Sequence, residues 1–467
     1  MKKITLLITI IFVIGYVLPA LGQGSFNTSL HKTRHGKPTW YNAPNGFETL
    51  TNVPISGLGC VECHDANDAN GDPYPATGYE PGCVDCHATN TTGWPVTQAD
   101  CLGCHSREAA IINVHQVPDV HRDASTPFVC MDCHKKEELH GDDGIEHSSM
   151  FDPGAIQTDC QQAGCHTSVP NNSAHNQHLT NIHCTSCHAS TNLACYNCHF
   201  ESQVESHVKR AFKQVTNFVI LVNRTKDGKV HPATFQSLSY EGNTWVAMGP
   251  SVAHTITKEN ARTCSDCHAN FGGNIPAIND WNAGGGIKFA TWNPADSTIT
   301  TLTGVVPLPV DYKYSFKMDF ITYNGDPSDP PGPSKNWSFI KDEVDGFQLE
   351  YATPLTADQM ENLGMNITLI TVERQINSIP NGYQLEQNYP NPFNPTTTIR
   401  YSVADRSNVE IIVYDALGKQ IRSLVNGDHD AGVYEVDFDA TGLTSGIYFY
   451  QIKTAAFSET KKLVLMK

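Results

Sequence analysis

The sequence predicts a mixed fold. A loop-rich, mainly short-helical domain comes first, organised by something other than a large apolar core, and a small C-terminal β-sandwich comes last. Three observations carry this. The chain has 467 residues with only 39% hydrophobic and 17% charged side chains, alongside 35 Gly and 27 Pro, so loops are plentiful and apolar mass is modest. It holds 16 Cys and 21 His, and almost all of them crowd into the first 270 residues. Residues 380–467 alternate apolar and polar positions in short runs separated by turns. Length alone suggests about three domains. The formal net charge of −17, from 48 acidic and 31 basic side chains, excludes an electrostatic nucleic-acid binder, which needs a basic footprint.

In chain order, residues 1–22 read as a secretory signal peptide. Lys2 and Lys3 form its charged start, Ile4 to Leu18 its apolar run, and Pro19-Ala20-Leu21-Gly22 a small-residue exit with cleavage before Gln23. No other stretch approaches 18 consecutive apolar residues, so the mature chain is expected to have no integral membrane span. Export also permits disulfides, and an even cysteine count would ordinarily be read that way.

The spacing argues otherwise. The cysteines form eight pairs, and a histidine follows the second member of each. Seven pairs read C-x-x-C-H: Cys60 and Cys63 with His64, Cys83/Cys86-His87, Cys101/Cys104-His105, Cys130/Cys133-His134, Cys184/Cys187-His188, Cys195/Cys198-His199 and Cys264/Cys267-His268. The eighth, Cys160/Cys165-His166, has four intervening residues. Two thiols on one short turn reach both vinyl groups of a haem, and the next residue then lies under the iron as proximal ligand. Disulfides, four Cys₄ zinc sites or a thioredoxin-like motif would use the cysteines but leave the histidines unexplained. Chance placement of eight histidines has a probability on the order of 10⁻¹¹. The expected cofactors are eight covalently bound haem c groups.

Of the remaining 13 histidines, 12 lie between residues 31 and 254 and one is His429. Eight irons would need eight distal ligands. The favoured distal candidates are His35, His115, His121, His140, His147, His178, His207 and His254, with His31, His175, His183 and His231 as further candidates. His183 adjoins Cys184 and is poorly placed to reach a different haem. His31 and His35 are expected near the first haem, and His207 on a helix over 204–212. Bis-His ligation leaves no open coordination position, which favours electron transfer over substrate chemistry. Methionine is the other axial choice, but only Met131, Met150 and Met248 lie in the region.

Residues 23–275 supply about 32 residues per haem, too few to wrap each one in its own apolar domain. The haems would therefore be the core, closely spaced, with very little sheet around them. Residues 276–379 contain no Cys or His and read as a haem-free packing extension. In it Tyr312–Tyr323 suits a strand, Asp326–Pro333 an exposed loop, and Thr356-Ala-Asp-Gln359 a capping box before a helix ending at Gly364. The β-sandwich strands are expected at Thr398–Val403, Val409–Tyr414, Ile421–Val425, Tyr434–Phe438, Ile447–Lys453 and Lys461–Met466.

Two resemblances follow. The motif-bearing region resembles multihaem c-type cytochromes, here octahaem. That resemblance implies a relay passing electrons through low-potential, mostly bis-His haems to an extracellular acceptor or a partner cytochrome. Octahaem enzymes that look like tetrathionate reductase or hydroxylamine oxidoreductase are the alternative; they act on small sulfur or nitrogen compounds at one haem that departs from bis-His ligation. A subunit of a conductive cytochrome filament is a third reading, its mark being distal histidines exchanged between subunits. The C-terminus is similar to the type A sorting domain of the type IX secretion system. The similarity rests on Tyr389–Pro395 with Thr396–Ile399, Tyr414-Asp-Ala-Leu-Gly418, Ala431-Gly432, Ser445-Gly446-Ile447-Tyr448 and Lys461–Lys467. It implies the type IX machinery as a partner and passage through the outer membrane to the cell surface or extracellular space.

Overall fold

The computed structural model describes residues 26–33, 41, 47–53, 82–88, 95–141, 144–162, 164–251, 254–330, 335–370, 373–376, 382–429 and 431–466. The expected signal segment 1–22, the expected distal ligand His35, and part of the Asp326–Pro333 loop lie outside the described residues. So do Cys60, Cys63 and His64, the whole of the first motif. The chain divides into two compact units, Met1–Ile367 and Thr368–Lys467. No helix among the described residues is long and apolar enough to cross a membrane.

The first unit opens with short helical turns. Those at Gln98–Cys104, Cys130–Cys133, Cys184–His188 and Cys264–Cys267, with a 3₁₀ turn at Cys83–Asp85, each carry a cysteine motif. Three of them are capped alike. Asp85, Asp132 and Asp266 occupy the position just before the second cysteine. Each carboxylate accepts the amide of the residue preceding the first cysteine: Gly82 at 2.6 Å, Val129 at 2.7 Å and Thr263 at 2.7 Å. An acidic group on the first amides of a turn satisfies donors that would otherwise be orphaned.

From Asn192 the chain turns to sheet. Strands β1 (Asn192–His199), β2 (Arg210–Arg224), β3 (Val230–Tyr240) and β4 (Asn243–Pro250) follow in sequence. They are joined by β5 (Ile287–Asn293), β6 (Thr298–Thr301), β7 (Gly304–Pro307), β8 (Phe316–Met318), β9 (Phe320–Tyr323), β10 (Trp337–Lys341), β11 (Gly346–Leu349) and β12 (Ala352–Thr353). The main sheet runs β11-β4-β3-β1-β2-β12, with β7 also on β2. β1 is antiparallel to β2 and parallel to β3. Glu241 (φ 48°) and Gly242 (φ 76°) turn β3 into β4, the two positive φ angles of a hairpin whose twist matches its strands.

This sheet corrects the expectation of very little sheet before residue 275. The physical reason is burial on both faces. Phe218, Val219, Ile220 and Val222 of β2 are all fully buried, so the run is continuously apolar and shows no period of two. Ring contacts fasten the small β5-β6-β8 sheet to it: Phe289 meets Phe218 at 5.3 Å and Phe235 at 5.1 Å, both edge to face. The expected packing extension thus belongs to the same unit, through β7, β11 and β12. The expected strand at Tyr312–Tyr323 starts instead as a helical turn, Tyr312–Ser315, and then continues as β8 and β9. The capping box is present: Thr356 Oγ1 accepts Gln359 N–H, and Gln359 Oε1 accepts Thr356 N–H.

The second unit begins before residue 380, because β13 (Glu373–Ile376) pairs with β18 (Gly432–Asp439). With β14 (Gln384–Leu385), β15 (Thr396–Val403), β16 (Ser407–Asp415), β17 (Gln420–His429), β19 (Gly446–Lys453) and β20 (Ser458–Leu465), it forms two four-stranded sheets, β13-β18-β15-β14 and β17-β16-β19-β20. Alternate residues point inward from both: Ile399 and Tyr401, Ile411 and Val413, Val436 and Phe438, Tyr450 and Ile452 share one core. All six strands read from the sequence are present; five have wider limits, and the last starts earlier, at Ser458, but ends at Leu465, one residue short of the expected Met466.

Candidate functional site

Six motifs lie as compact turns among the described residues. In five, the histidine amide returns to the carbonyl of the first cysteine: His87 to Cys83 at 2.9 Å, His105 to Cys101 at 3.0 Å, His134 to Cys130 at 2.9 Å, His166 to Cys160 at 3.1 Å and His268 to Cys264 at 2.8 Å. The sixth, Cys184–His188, lies wholly within one helical turn. Such a turn gathers two sulfurs and an imidazole within one loop, as attachment of a haem edge with an axial ligand requires. The expected attachment residues Cys60 and Cys63 and the expected proximal ligand His64 fall outside the described residues, so the first motif takes no part in this geometry.

Every one of these six histidines faces a second histidine across a similar gap. Ring centroids are 6.0 Å apart for His87–His140, 6.1 Å for His105–His31, 6.2 Å for His134–His254, 6.1 Å for His166–His121, 6.2 Å for His188–His175 and 6.0 Å for His268–His178. Two imidazoles bound in trans to one iron, through bonds of about 2 Å, place their centroids about 6 Å apart. The interplanar angles range from 17° to 74°; rotation about each metal–nitrogen bond leaves that angle free. The six pairs therefore fit a bis-His haem.

The outer ring nitrogens of four of these histidines fit too. His188 Nδ1 lies 2.9 Å from the Thr257 carbonyl, His268 Nδ1 2.7 Å from the Asn362 carbonyl and His175 Nδ1 2.9 Å from the Pro170 carbonyl. His134 Nδ1 lies 2.7 Å from Glu138 Oε1. An acceptor at Nδ1 fixes the tautomer that leaves Nε2 bare for a metal. Glu138 is strongly held as a carboxylate. Burial alone would raise its pKa, but His134 and the amides of Gln157 and Thr158 pull it down to about 2. Among the described residues no group of three or more His, Cys, Asp and Glu converges on one point; the donors come as histidine pairs.

The motifs also adjoin one another in series. Burial first, then a thiol of the next motif, raises the pKa of Cys86 (beside Cys104), Cys101 (beside Cys130) and Cys133 (beside Cys165). The thiol of Cys184 raises the pKa of Cys160 and burial, then Cys187, that of Cys267, so these motifs adjoin as well. Arg262 N–H donates to the Cys187 carbonyl at 3.0 Å. The order of neighbours is thus His87, His105, His134, His166, His188, His268.

The other candidates are placed differently. His31, expected near the first motif, faces the third. His183 and His231 stack on each other at 4.1 Å, too close to share an iron. His183 caps the Cys184 turn through Thr185, and His231 Nε2 meets Asp227 Oδ2 at 2.9 Å. His207 is not on a helix over 204–212. The helix is Phe200–Ser206, and His207 (φ 55°) ends it, exposed to solvent. His115 Nε2 meets Gln214 at 3.0 Å, and His147 is buried beside Gly154. His429 lies in the second unit against Tyr401. The capping aspartates Asp85, Asp132 and Asp266 are what the motif reading missed; their shared position inside C-x-D-C-H was the signal.

Cys195/Cys198-His199 is built on another plan, as part of β1. Asn197 takes φ 52°, which splits the motif across the sheet. Cys195 and Cys198 join Phe47, Leu238, Trp245 and Ala247 on one face. Tyr196, Asn197 and His199 reach β9 and β10 on the other: Asn197 Oδ1 accepts the Ile321 amide at 3.0 Å, and His199 packs edge-on against Tyr323 at 5.8 Å and Trp337 at 6.2 Å.

In the second unit the Pro/Asn-rich lead-in is stitched down. Asn388 Nδ2 donates to Thr397 Oγ1 at 2.9 Å and to the Pro390 carbonyl at 3.1 Å. Asn391 Oδ1 accepts Val464 N–H at 2.9 Å. Phe393 buries its ring beside Phe438 and exchanges backbone bonds with Val464 and Met466. This sandwich, with its strapped entry, is of the kind that closes exported chains. Residues 387–466 match the family described as the secretion system C-terminal sorting domain. They are a type IX sorting domain, a partner for that secretion machinery, and they direct the chain toward the cell surface or extracellular space. No curated protein matches the chain.

Proposed function

We propose that the first unit is a multihaem c-type cytochrome and that the exported protein relays electrons to an extracellular acceptor or a partner cytochrome. The observation that carries this reading is the set of six motif histidines, each facing a second histidine at about 6 Å. Cys83/Cys86, Cys101/Cys104, Cys130/Cys133, Cys160/Cys165, Cys184/Cys187 and Cys264/Cys267 would hold the haems as thioethers. His87, His105, His134, His166, His188 and His268 would be proximal ligands, and His140, His31, His254, His121, His175 and His178 the distal ones. When bound, haem supplies reversible one-electron chemistry at its iron.

The chain's own contribution is orientation and spacing. Carbonyls and Glu138 fix the tautomers of His188, His268, His175 and His134, and each histidine pair would hold an iron with two imidazoles. That filling favours electron transfer over binding of a small substrate. Both histidines of each pair come from the same chain, so these six sites need no neighbouring subunit. Short links between successive motifs, such as Arg262 to Cys187, hold the sites in one series.

The test is haem content and thiol state of the purified, exported protein. The reading expects covalent haem on the six described motifs, a low-spin oxidised spectrum, and no free thiol at those positions. Disulfides joining Cys101 to Cys130 or Cys160 to Cys184, found by non-reducing peptide mapping, would contradict it. A stoichiometric high-spin haem that binds nitrite, hydroxylamine or cyanide would favour the oxidoreductase alternative instead.

A further inference from the structure

We infer that Cys195-x-x-Cys198-His199 is not a haem-attachment site but a structural segment of the main sheet, so the chain carries at least one haem fewer than its motif count. The inference rests on the proposed cytochrome function, since it contrasts this motif with the other six.

Haem c attachment requires both sulfurs and the axial imidazole to meet one porphyrin. In β1 the sheet itself separates them. Asn197 in the left-handed region leaves Tyr196 and Asn197 on one face and Cys195 and Cys198 on the other. The neighbouring strand shows the same division. Gln236 and Leu238 of β3 lie with the cysteines: Gln236 Nε2 reaches Cys198 Sγ at 3.8 Å, and Leu238 shares their cluster. Ser237 and Ser239 lie with Asn197: Ser237 Oγ accepts Asn197 N–H at 2.8 Å, and Ser239 Oγ donates to the Ile321 carbonyl at 3.2 Å.

Neither face leaves room for a porphyrin. Cys198 is 7% exposed among Phe47, Phe200, Leu238 and Trp245. His199 is 4% exposed, with Nδ1 on Ser202 Oγ at 2.9 Å and Nε2 3.2 Å from Glu201 Oε2. Its ring neighbours are Tyr323 and Trp337, where the six other motifs each present a histidine. The backbone differs as well. Cys195 and Cys198 stand in register with Gln214 and Ala211 of β2 and with Gln236 and Leu238 of β3, whereas five of the other motifs close on themselves. Attaching haem here would require β1 to leave a sheet in which it is a central strand. The motif string is therefore met by chance of composition in a buried strand, Leu193-Ala-Cys-Tyr-Asn-Cys-His199.

Peptide mapping by mass spectrometry on the full, haem-loaded, exported protein tests this. The peptide containing Cys195 and Cys198 is expected without haem and fully alkylatable after reduction, while those containing Cys83/Cys86, Cys101/Cys104, Cys130/Cys133, Cys160/Cys165, Cys184/Cys187 and Cys264/Cys267 carry it. Haem on Cys195 or Cys198 would overturn the inference and leave the cytochrome reading standing. Haem on no peptide would overturn the cytochrome reading and, with it, the contrast. A second arm uses variants. Cys195→Ser/Cys198→Ser should keep the wild-type haem-to-protein ratio, whereas Cys264→Ser/Cys267→Ser should lose one haem per chain. Loss of one haem from the first variant would also overturn the inference. Should that variant fail to fold, the wild-type map still decides.

Discussion

His178 and His207 show how much a histidine's neighbours matter. Both lie between the fifth motif and the eighth, and sequence alone ranked them equally as distal ligands. His178 stacks 6.0 Å from His268; His207 ends a helix in solvent. His178→Ala should therefore leave one iron with an open axial position, seen by electron paramagnetic resonance as one high-spin haem per chain, and His207→Ala should produce none. Equal spectra for the two variants would contradict the pairing. The motif member of each histidine pair was legible because it is held next to its cysteines by the chain itself. The partner member was only partly legible, because the pairings join residues up to 120 positions apart, as in His134–His254, and no spacing rule encodes it. His31 and His175, the less favoured candidates, are paired, while His115 and His207 face Gln214 and solvent.

His231 gives a second prediction at the residue scale. Burial, then His183, lowers its pKa from 6.5 to about 3 despite Asp227. Below pH 6.5 the unfolded chain takes up a proton that the folded chain refuses. Stability is thus fully present above 6.5 and falls as pH drops toward 3, with a slope of at most about 1.4 kcal/mol per pH unit from this group. His231→Asn should flatten the denaturation midpoint between pH 6.5 and pH 4 relative to wild type. Parallel curves would show that His231 is not the source.

At the scale of elements, the C-terminal strands were readable because each buries one face, giving a period of two that survives in the sequence. The main sheet of the first unit was not. Its strands are buried on both faces, and in β1 a cysteine motif overlies the strand pattern. The Glu241-Gly242 turn was the local sign that went unused. Gly242 sits at φ 76° with open space around its Cα, so replacement costs backbone strain and no clash. Gly242→Val should destabilise the first unit by roughly 1–2 kcal/mol in chemical denaturation; no change would mean that the hairpin does not hold β3 to β4. The strap on the sorting domain makes a comparable case. Asn388 is 2% exposed with two side-chain donations, and Asn388→Ala should cost about 1–3 kcal/mol and speed hydrogen exchange at the Phe393 and Met466 amides. Unchanged exchange there would show that Asn388 does not pin the lead-in.

For the whole molecule, the two units divide the labour. The second carries the address, and the first carries the proposed chemistry. Deleting residues 368–467 should leave the haem content of the first unit intact while removing the protein from the cell surface and medium, as fractionation would show. Surface display without that unit would contradict its role. Within the first unit the series from His87 to His268 follows chain order but skips His199, which lies in the sheet. The first unit divides in the same way: turns carry the histidine pairs, and strands supply an apolar core of their own, which the expectation of a domain organised by haem alone did not include. The most direct test of the central claim is a spin-counted electron paramagnetic resonance spectrum of the oxidised, exported protein. The account predicts low-spin, bis-His signals from at least six irons per chain. A protein that carries no haem, or whose irons at these motifs are high-spin, would contradict it.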